Sequence, residues 1–349
     1  MNESNRENIL YMRWEESFMK KGTKRFLAGS VAVLSLVVSG CSQSKSTSEA
    51  AKETTEATSE VTTQVASNTK TDANSPAASF DWNAKVAPMT KYEQTLVESN
   101  SGKTITHKLD GVKKAVEALN EKKKSITDTK VLEALKLVDA VFVNQENFDV
   151  LLKATGTSSQ EELYTHIWND YMVNYLKEAR PTFTNDGEVE YQGVKYPVKV
   201  YAPMYLKVNT NALGKAAAYT LEDYKVDGDT VYLKLRAPRV DLYQYEVQAS
   251  YQTNNKAFFD GIVEEAQKVG QTDFTKALLL KFIYRLAAVG FRGDGYVNLE
   301  GMDYYDRNEH YLAIKVDDKG NATIDDKNLV NLLQIDMKPA NEANKTKFE

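Results

Sequence analysis

The sequence of 349 residues is poor in the side chains that most metal and redox sites need. It contains one cysteine, Cys41, and three histidines, His107, His166 and His310. A single thiol excludes a disulfide within the chain, and so few ligands exclude a Cys/His zinc site. We therefore expect no metal and no cofactor.

The sequence also lacks an excess of positive charge and any long apolar run. Its formal net charge is -5 at pH 7, so we expect no nucleic-acid partner, since that would need a basic patch. The longest apolar run, Phe26 to Val38, is too short to cross ~30 Å of hydrocarbon as a helix. Its length is typical of the core of a signal peptide.

Common catalytic signatures are missing as well. The sequence contains no G-x-x-x-x-G-K-[ST], no G-x-S-x-G and no H-E-x-x-H. These absences argue against a phosphate-loop nucleotide enzyme, an α/β-hydrolase and a zinc protease.

A short apolar run follows a basic stretch and ends at four residues that resemble the bacterial lipobox: Val38, Ser39, Gly40 and Cys41. The resemblance implies that the thiol of Cys41 receives a diacylglyceryl group and that residues 1–40 are removed as a signal peptide. Residues 1–18 carry net negative charge, which suits an export signal poorly, so we predict that translation starts at Met19. The predicted location is the cell membrane, lipid-anchored on its extracytoplasmic face, with the lipid on Cys41 as the membrane contact.

The segment after the lipobox has little to bury. Residues 42–79 contain no aromatic residue and no Leu, Ile or Met, so burial cannot offset the entropy of ordering them. We predict a disordered tether over residues 41–84, with a root-mean-square reach of roughly 35 Å. Residues 85–129 are interpreted as a helical lead-in.

Helical and strand periodicities alternate in blocks over residues 130–336, which predicts an α+β domain with helices packed on a curved antiparallel sheet. The predicted helices follow Asp128 and Ser159, cover 255–270 and 273–290, and include a last one at Leu329, Leu332 and Leu333. The predicted strands are 198–208, 230–236 and 311–316. Residues 337–349 are expected to form a flexible tail.

Several positions in this block resemble a known family: Val231, Leu233 and Leu235, the acid Asp241, then Leu312, Ile314 and Val316, Asp318, Gly320, and Ile324-Asp325. The chain is similar here to uncharacterised lipoproteins of Gram-positive bacteria with a cone-shaped domain like nuclear transport factor two. It departs from their pattern at Ala322, where that family usually has Trp. The resemblance implies a cone-like fold but no particular activity, because this fold hosts many functions.

Tyrosine is the abundant residue that could form a binding surface. All but two of the 20 tyrosines lie between Tyr164 and Tyr311. A ring that carries a hydroxyl suits contacts with proteins or sugars, although tyrosine is also common in half-buried strands. The candidate ligand or partner surface comprises Tyr201, Tyr205, Tyr243, Tyr245, Tyr304 and Tyr305.

Acid/base chemistry has a few isolated candidates. Asp241 and Glu246 flank an aromatic run, and His166 lies on the third predicted helix. If an acid and the histidine met, general acid/base catalysis would be feasible, but a packing role fits a lone histidine better. Residues 317–321 favour a hairpin turn over a calcium loop, and Arg-Gly-Asp at 292–294 favours a turn over an adhesion motif.

Three functional hypotheses follow. The first is a non-enzymatic, lipid-anchored envelope protein that binds an envelope protein partner or a surface glycan through a tyrosine-rich concave sheet. The second is a cone-fold hydrolase or isomerase with Asp241 as base. The third is a substrate-binding lipoprotein of an importer, which fits the anchor but not the segregated order of helices and strands.

Overall fold

The structure, a computed structural model, describes residues 75–85, 114, 116–143, 148–215, 219–238, 256–270, 272–294 and 307–349. These residues belong to one of two compact units of the chain, residues 73–349. The predicted signal peptide and most of the predicted tether lie outside the described residues.

The first half of the described chain is mainly helical. After a helical stretch at 116–124 come α1 (Thr129–Phe142), α2 (Asp149–Thr155), α3 (Gln160–His166), a π-helical segment (Ile167–Met172) and α4 (Val173–Ala179). A small hairpin follows, formed by β1 (Glu188–Tyr191) and β2 (Val194–Pro197), and leads into α5 (Val198–Lys215).

The second half alternates strands and helices in blocks. Its elements are β3 (Thr220–Asp227), β4 (Thr230–Pro238), α6 (Lys256–Val269), α7 (Phe274–Ala288), β5 (Arg307–Val316), β6 (Ala322–Thr323), α8 (Asp326–Leu332) and α9 (Lys338–Lys345). Strands β3, β4, β5 and β6 form one sheet in that order, and every described pairing is antiparallel. The predicted α+β class is confirmed.

The inner face of this sheet has the predicted composition. Leu233 of β4 pairs with Leu312 of β5, and both side chains are fully buried. Their neighbours two residues away are buried as well, so the period-two alternation reports the buried face correctly. Helix α1 packs on this face, after Asp128 caps its first turn by accepting hydrogen bonds from the main-chain N–H groups of Lys130 and Val131.

Helix α5 corrects a prediction. The alternation in "VKVYAPMYLKV" predicts a strand over 198–208, but these residues form the first part of an 18-residue helix. From Tyr201 to Val208 every side chain is buried, because α5 packs against α1, α3, α7 and the π-helical segment. A helix buried on all sides has no polar face, so its sequence loses the helical period.

The π-helical segment changes the face predicted for the third helix. A helix with 3.6 residues per turn would place Leu163, Ile167, Tyr171 and Tyr175 in one buried stripe. The first two are buried, but Tyr171 and Tyr175 are only half-buried, since the wider turn shifts the residues that follow it. Trp168 is fully buried inside this segment, and its Nε1 donates a hydrogen bond of 2.7 Å to Asn185 Oδ1.

The C-terminal residues 337–349 are not a flexible tail, contrary to prediction. Helix α9 packs on β5 and α8, with Ala340 and Asn344 buried. The reason is an asparagine network along β5, formed by Asn328, Asn331, Asn341 and Asn344. Sequence periodicity does not reveal this attachment, because its contacts are polar.

The asparagine network completes the hydrogen bonding of β5 along the part that β6 does not cover, since β6 pairs only with Lys315 and Val316. Asn341 accepts from the main-chain N–H of Tyr311 (2.8 Å) and donates to the carbonyl of Glu309 (2.7 Å). Asn344 donates to the carbonyl of Tyr311 (2.9 Å), and Asn328 accepts from the N–H of Ala313 (2.8 Å). The side-chain amides thus take the place of a neighbouring strand along residues 309–313.

The N-terminal limit of the folded domain also differs from the predicted boundaries. Residues 75–85, assigned by sequence mostly to the disordered tether, lie against the domain, with Ala77 and Phe80 buried. In the predicted lead-in, Leu119 and Ile126 are buried in the same core. The apolar side chains at 77, 80, 119 and 126 therefore supply burial that the sequence prediction did not assign to the domain.

Candidate functional site

Most of the predicted site residues lie outside the described residues. This applies to the lipobox and lipidation residues Val38, Ser39, Gly40 and Cys41, to the proposed base Asp241 with Glu246, and to Tyr243, Tyr245, Tyr304 and Tyr305. Their assignments remain predictions.

The two remaining surface candidates, Tyr201 and Tyr205, do not form a surface. Both lie on α5, where Tyr201 is 0% and Tyr205 is 9% exposed. Tyr205 packs against Phe282, with ring centroids 4.2 Å apart, and its hydroxyl accepts a hydrogen bond from buried Arg285. The prediction that Tyr201 and Tyr205 form a binding surface is therefore wrong. Both errors have the same cause, because the segment 198–208, predicted as a strand, forms part of a central helix.

The outer face of the large sheet does carry tyrosines, but the C-terminal end of the chain covers them. Lys347 Nζ lies 5.0 Å from the ring centroid of Tyr232, and the Phe348 ring lies 5.7 Å from that of Tyr311. These contacts cover part of the outer face, although Tyr232 and Tyr311 are not among the residues of the predicted ligand surface.

His166 meets two acids, although neither is the one predicted. Its Nδ1 lies 2.7 Å from Asp170 Oδ2, and its Nε2 lies 2.9 Å from Asp326 Oδ1. Asp170 belongs to the π-helical segment and Asp326 to α8, so the imidazole connects two elements. The hydrogen bond and charge of Asp326, followed by those of Asp170, raise the pKa of His166.

This geometry argues against a general base at His166. Ionised carboxylates only accept hydrogen bonds, so both ring nitrogens must carry protons to satisfy both contacts. An imidazolium that donates on both sides has no lone pair with which to accept a proton from a substrate. The cluster is therefore an ionic clamp, and we call it the histidine clamp.

A second cluster lies where the N-terminal segment meets the domain. We call residues 75–85 the strap. Its apolar contacts come from Phe80, whose ring centroid is 4.9 Å from that of Trp82, and from Trp82, which stacks on Tyr164 at 6.4 Å. Ser75 Oγ lies 2.9 Å from the hydroxyl of buried Tyr201. Two aromatic side chains and a hydroxyl pair thus hold the strap along its length.

Two buried polar side chains hold the last part of the strap by its main chain. Lys207 Nζ donates to the carbonyl of Ala84 (3.0 Å) and to Gln160 Oε1 (2.6 Å). Asn211 Nδ2 donates to the same Ala84 carbonyl (3.3 Å) and to the carbonyl of Gly293 (2.6 Å). Lys207 is 0% and Asn211 is 2% exposed. An ammonium and an amide therefore converge on one carbonyl oxygen.

The loop after α7 forms the other side of this site. Three of its residues have positive φ, Gly290 (66°), Phe291 (54°) and Gly293 (83°). The strap comes so close here that a Cβ at position 293 would collide with the main-chain oxygen of Asp81. Glycine is needed at this position, both for its φ and for this close approach. The Arg-Gly-Asp tripeptide at 292–294 is thus in a turn, as predicted, with its glycine buried beneath the strap.

Lys207 is costly to bury. Its burial lowers the pKa to about 8, although the negative charges of Asp81 and Asp294 act in the opposite direction. Relative to the ordinary 10.5, this corresponds to roughly 3 kcal/mol of destabilisation while the group is charged. A residue that costs stability at this scale is a candidate for a functional role.

No protein-family model, curated protein or solved structure matches this chain. Within the described ranges, no group of three or more His, Cys, Asp or Glu side chains is placed to hold a metal ion. None of the helices in that part of the chain combines the length and apolar character needed to cross a bilayer. The candidate site therefore depends on the geometry around the strap.

Sequence reasoning missed Lys207, Asn211, Gln160 and Gly293. A strand over 198–208 would have pointed Lys207 to solvent, where a lysine needs no explanation. Two signals were available. Lys207 stands alone in an otherwise apolar run, and apolar residues return at Phe80 and Trp82 after the long polar segment.

Proposed function

We propose that this protein is a lipid-anchored, extracytoplasmic binding protein, in which a tether joins the lipid on Cys41 to an α+β domain that binds an envelope protein partner. The observation that carries the proposal is the way in which the domain holds the strap. The strap, which follows the polar segment after Cys41 in sequence, contains a short 3-10 helix, Pro76–Ser79, and the carbonyl of its Ala84 accepts hydrogen bonds from Lys207 and Asn211. A domain that recognises a peptide main chain in this way is suited to binding proteins.

The likeness to Gram-positive lipoproteins with a cone-like domain is part of the same proposal. It is supported by the antiparallel sheet β3–β4–β5–β6, in which β4 and β5 are neighbours and helices α6 and α7 lie between them in sequence. The cap of α8 by Asp325, which accepts from the N–H of Asn328 (2.8 Å), agrees with the Ile-Asp position of that family.

The catalytic and importer alternatives have less support. Both ring nitrogens of His166 are engaged by carboxylates, and the proposed base Asp241 lies outside the described residues. The described sheets are antiparallel, whereas importer lipoproteins of the expected kind have strands that alternate with helices in two lobes.

Anchoring is tested by growing expressing cells with an alkyne-bearing fatty acid and coupling a fluorophore to the purified protein. Because Cys41 is the one cysteine of the chain, Cys41→Ser is a matched control. We expect the wild-type chain to be labelled and membrane-associated, and the variant to lose both properties. Equal labelling or equal membrane association of the two chains would contradict the anchor.

Partner binding is tested by crosslinking in cells, affinity purification and mass spectrometry, again with Cys41→Ser as control. We expect one dominant envelope protein, recovered with the wild-type chain and lost with the variant. Recovery of no protein above background would contradict the binding role.

A further inference from the structure

The strap leaves an unusual arrangement beneath it. Lys207 Nζ and Asn211 Nδ2 point to one oxygen, the carbonyl of Ala84, at 3.0 and 3.3 Å. A neutral carbonyl matches the amide donor, but the buried ammonium is a stronger donor than a neutral carbonyl requires. An ionised oxygen at that position would form charge-assisted hydrogen bonds with the same two groups.

The charges around Lys207 favour an anion once the strap is absent. Two carboxylates influence Lys207, and they belong to different parts of the chain: Asp81 to the strap and Asp294 to the loop after α7. Asp294 Oδ1 lies 3.3 Å from Arg292 Nε. When the strap leaves, Asp81 leaves with it, so the site loses one negative charge while Lys207 and Asn211 stay. A ligand carboxylate would restore that charge.

The remaining strap contacts define the rest of the ligand. Tyr164 receives the ring of Trp82, and the hydroxyl of Tyr201 meets Ser75. The missing side chain of Gly293 leaves room for the main chain of Asp81. The carbonyl of Arg292 accepts a hydrogen bond from the N–H of Asp81 (3.3 Å). Such contacts suit a peptide with an aromatic residue two positions before its carboxyl end, as Trp82 precedes Ala84.

We propose that the groove under the strap is a binding site for a peptide with a free carboxylate, which takes the position of the Ala84 carbonyl, and that the strap is its resident competitor. This inference rests on the proposed function, since it specifies how the domain binds a partner. The strap acts as a covalently attached competitor, and its effective concentration is on the order of millimolar or more.

The test uses the full chain with Cys41→Ser, and a second chain that also carries Phe80→Ala and Trp82→Ala in the strap. The probe is a fluorescein-labelled peptide with the sequence of residues 75–84, ending in a free carboxylate at Ala84. The matched control peptide ends in an amide. Binding is followed by fluorescence anisotropy, and folding of each chain by circular dichroism.

We expect the acid peptide to bind the strap-weakened chain at least about tenfold more tightly than it binds the chain with an intact strap, because the competitor is removed. The amide peptide should bind the strap-weakened chain about tenfold more weakly than the acid peptide does. Adding Lys207→Met to the strap-weakened chain should lower its affinity for the acid peptide to its affinity for the amide peptide. Equal affinities of the two peptides, or an unchanged affinity with Lys207→Met, would overturn the carboxylate site.

A second measurement applies if the strap-weakened chain does not fold. With the intact strap, a large excess of acid peptide should accelerate hydrogen exchange at the N–H of Asp81, which is bonded to Arg292. The N–H of Val143 at the end of α1 serves as the control and should not change. No acceleration at Asp81 would mean that the strap is a permanent part of the fold. Neither measurement depends on the lipid anchor, so each can fail or succeed independently of it.

Discussion

The two ends of the folded domain are attached by different chemistry. At the C-terminal end, the asparagine network fastens α8 and α9 to β5 with neutral amides, which pair with main-chain groups that β5 leaves open where β6 does not cover it. At the N-terminal end, the strap is fastened by Lys207, a buried cation bonded to the oxygens of Ala84 and Gln160. The first attachment satisfies buried polar groups without burying charge, and the second buries a charge.

The difference between neutral amides and a buried ammonium determines how the stability of each attachment responds to pH and to a competing acceptor. A satisfied network of neutral amides has no titratable group of its own and gains strength from its low-dielectric surroundings. A buried ammonium is destabilising as long as it stays charged, so a better acceptor or a change of pH alters its contribution. The C-terminal attachment should therefore keep its strength at neutral and alkaline pH, whereas the contribution of the strap changes there with pH and with the acceptor.

The largest expected effect comes from breaking the asparagine network. Asn331 is fully buried, with Oδ1 3.0 Å from His310 Nδ1 and Nδ2 2.9 Å from Asn341 Oδ1. Asn331→Ala removes the partner of buried His310 Nδ1, takes one donor each from Asn341 Oδ1 and the Tyr311 carbonyl, and leaves a cavity. It should lower the free energy of unfolding by roughly 3 to 5 kcal/mol in urea denaturation. Asn174→Ala, at an exposed amide, is the control and should change it by less than ~0.5 kcal/mol. Similar losses of free energy of unfolding for Asn331→Ala and Asn174→Ala would contradict a stabilising role of the asparagine network.

Low pH should destabilise the C-terminal attachment, because His310 becomes protonated. Burial lowers the pKa of His310 to about 4, while the unfolded chain takes up its proton near 6.5. The free energy of unfolding should therefore fall by roughly 3 kcal/mol as the pH drops from 6.5 to 4. His310→Asn, which keeps a donor for Asn331, should flatten this part of the pH profile measured by denaturant titration. An unchanged slope would exclude His310 as its cause.

High pH should stabilise the folded chain at the strap, because Lys207 loses its charge. The folded chain releases this proton near pH 8 and the unfolded chain near 10.5, so the stability of wild type relative to Lys207→Met should rise by roughly 3 kcal/mol across that window. At pH 7 we expect Lys207→Met to be at least as stable as wild type, since it removes a buried charge. Lys199→Met, at an exposed lysine, is the control. A large loss of stability at pH 7 would show that Lys207 serves the fold itself.

The smallest effect should come from the histidine clamp, which is independent of both attachments. Its stabilisation is present below pH 6.5 and is lost as the pH rises through the raised pKa of His166 in the folded chain. His166 is 36% exposed, so His166→Gln should cost less than ~1 kcal/mol at pH 6 and nothing at pH 9. Thermal denaturation at the two pH values measures this difference, and an equal loss at both would contradict the ionic clamp.

Much of the fold could be predicted from the sequence where burial is one-sided. The strand at 230–236 alternates because one face is buried, and it lies within β4. Helix α7 is buried on most sides, but its length of 15 residues exceeds that of a typical strand, so the sequence still predicts a helix over 273–290.

The sequence predictions are wrong where an element is buried on all sides or where its contacts are polar. Helix α5 reads as a strand because its neighbours cover every side, and this misplaced Tyr201, Tyr205 and Lys207 together. Helix α9 and the last part of the strap, at Ala84, are held by hydrogen bonds between side chains and main chain, for which the sequence has no periodic signal. The meeting of His166 with Asp326 spans 160 residues and follows only from the packing of α8 beside the π-helical segment.

The position of the strap also determines how the chain responds to mechanical force. When the chain is pulled at Ser75, its contact with Tyr201 bears the load before the contacts of Phe80 and Ala84 do. The contacts would then break one after another, as in peeling, rather than together, as in shear. Sequential rupture needs little force, so tension applied at Ser75 would free the groove while the helices and the sheet remain folded.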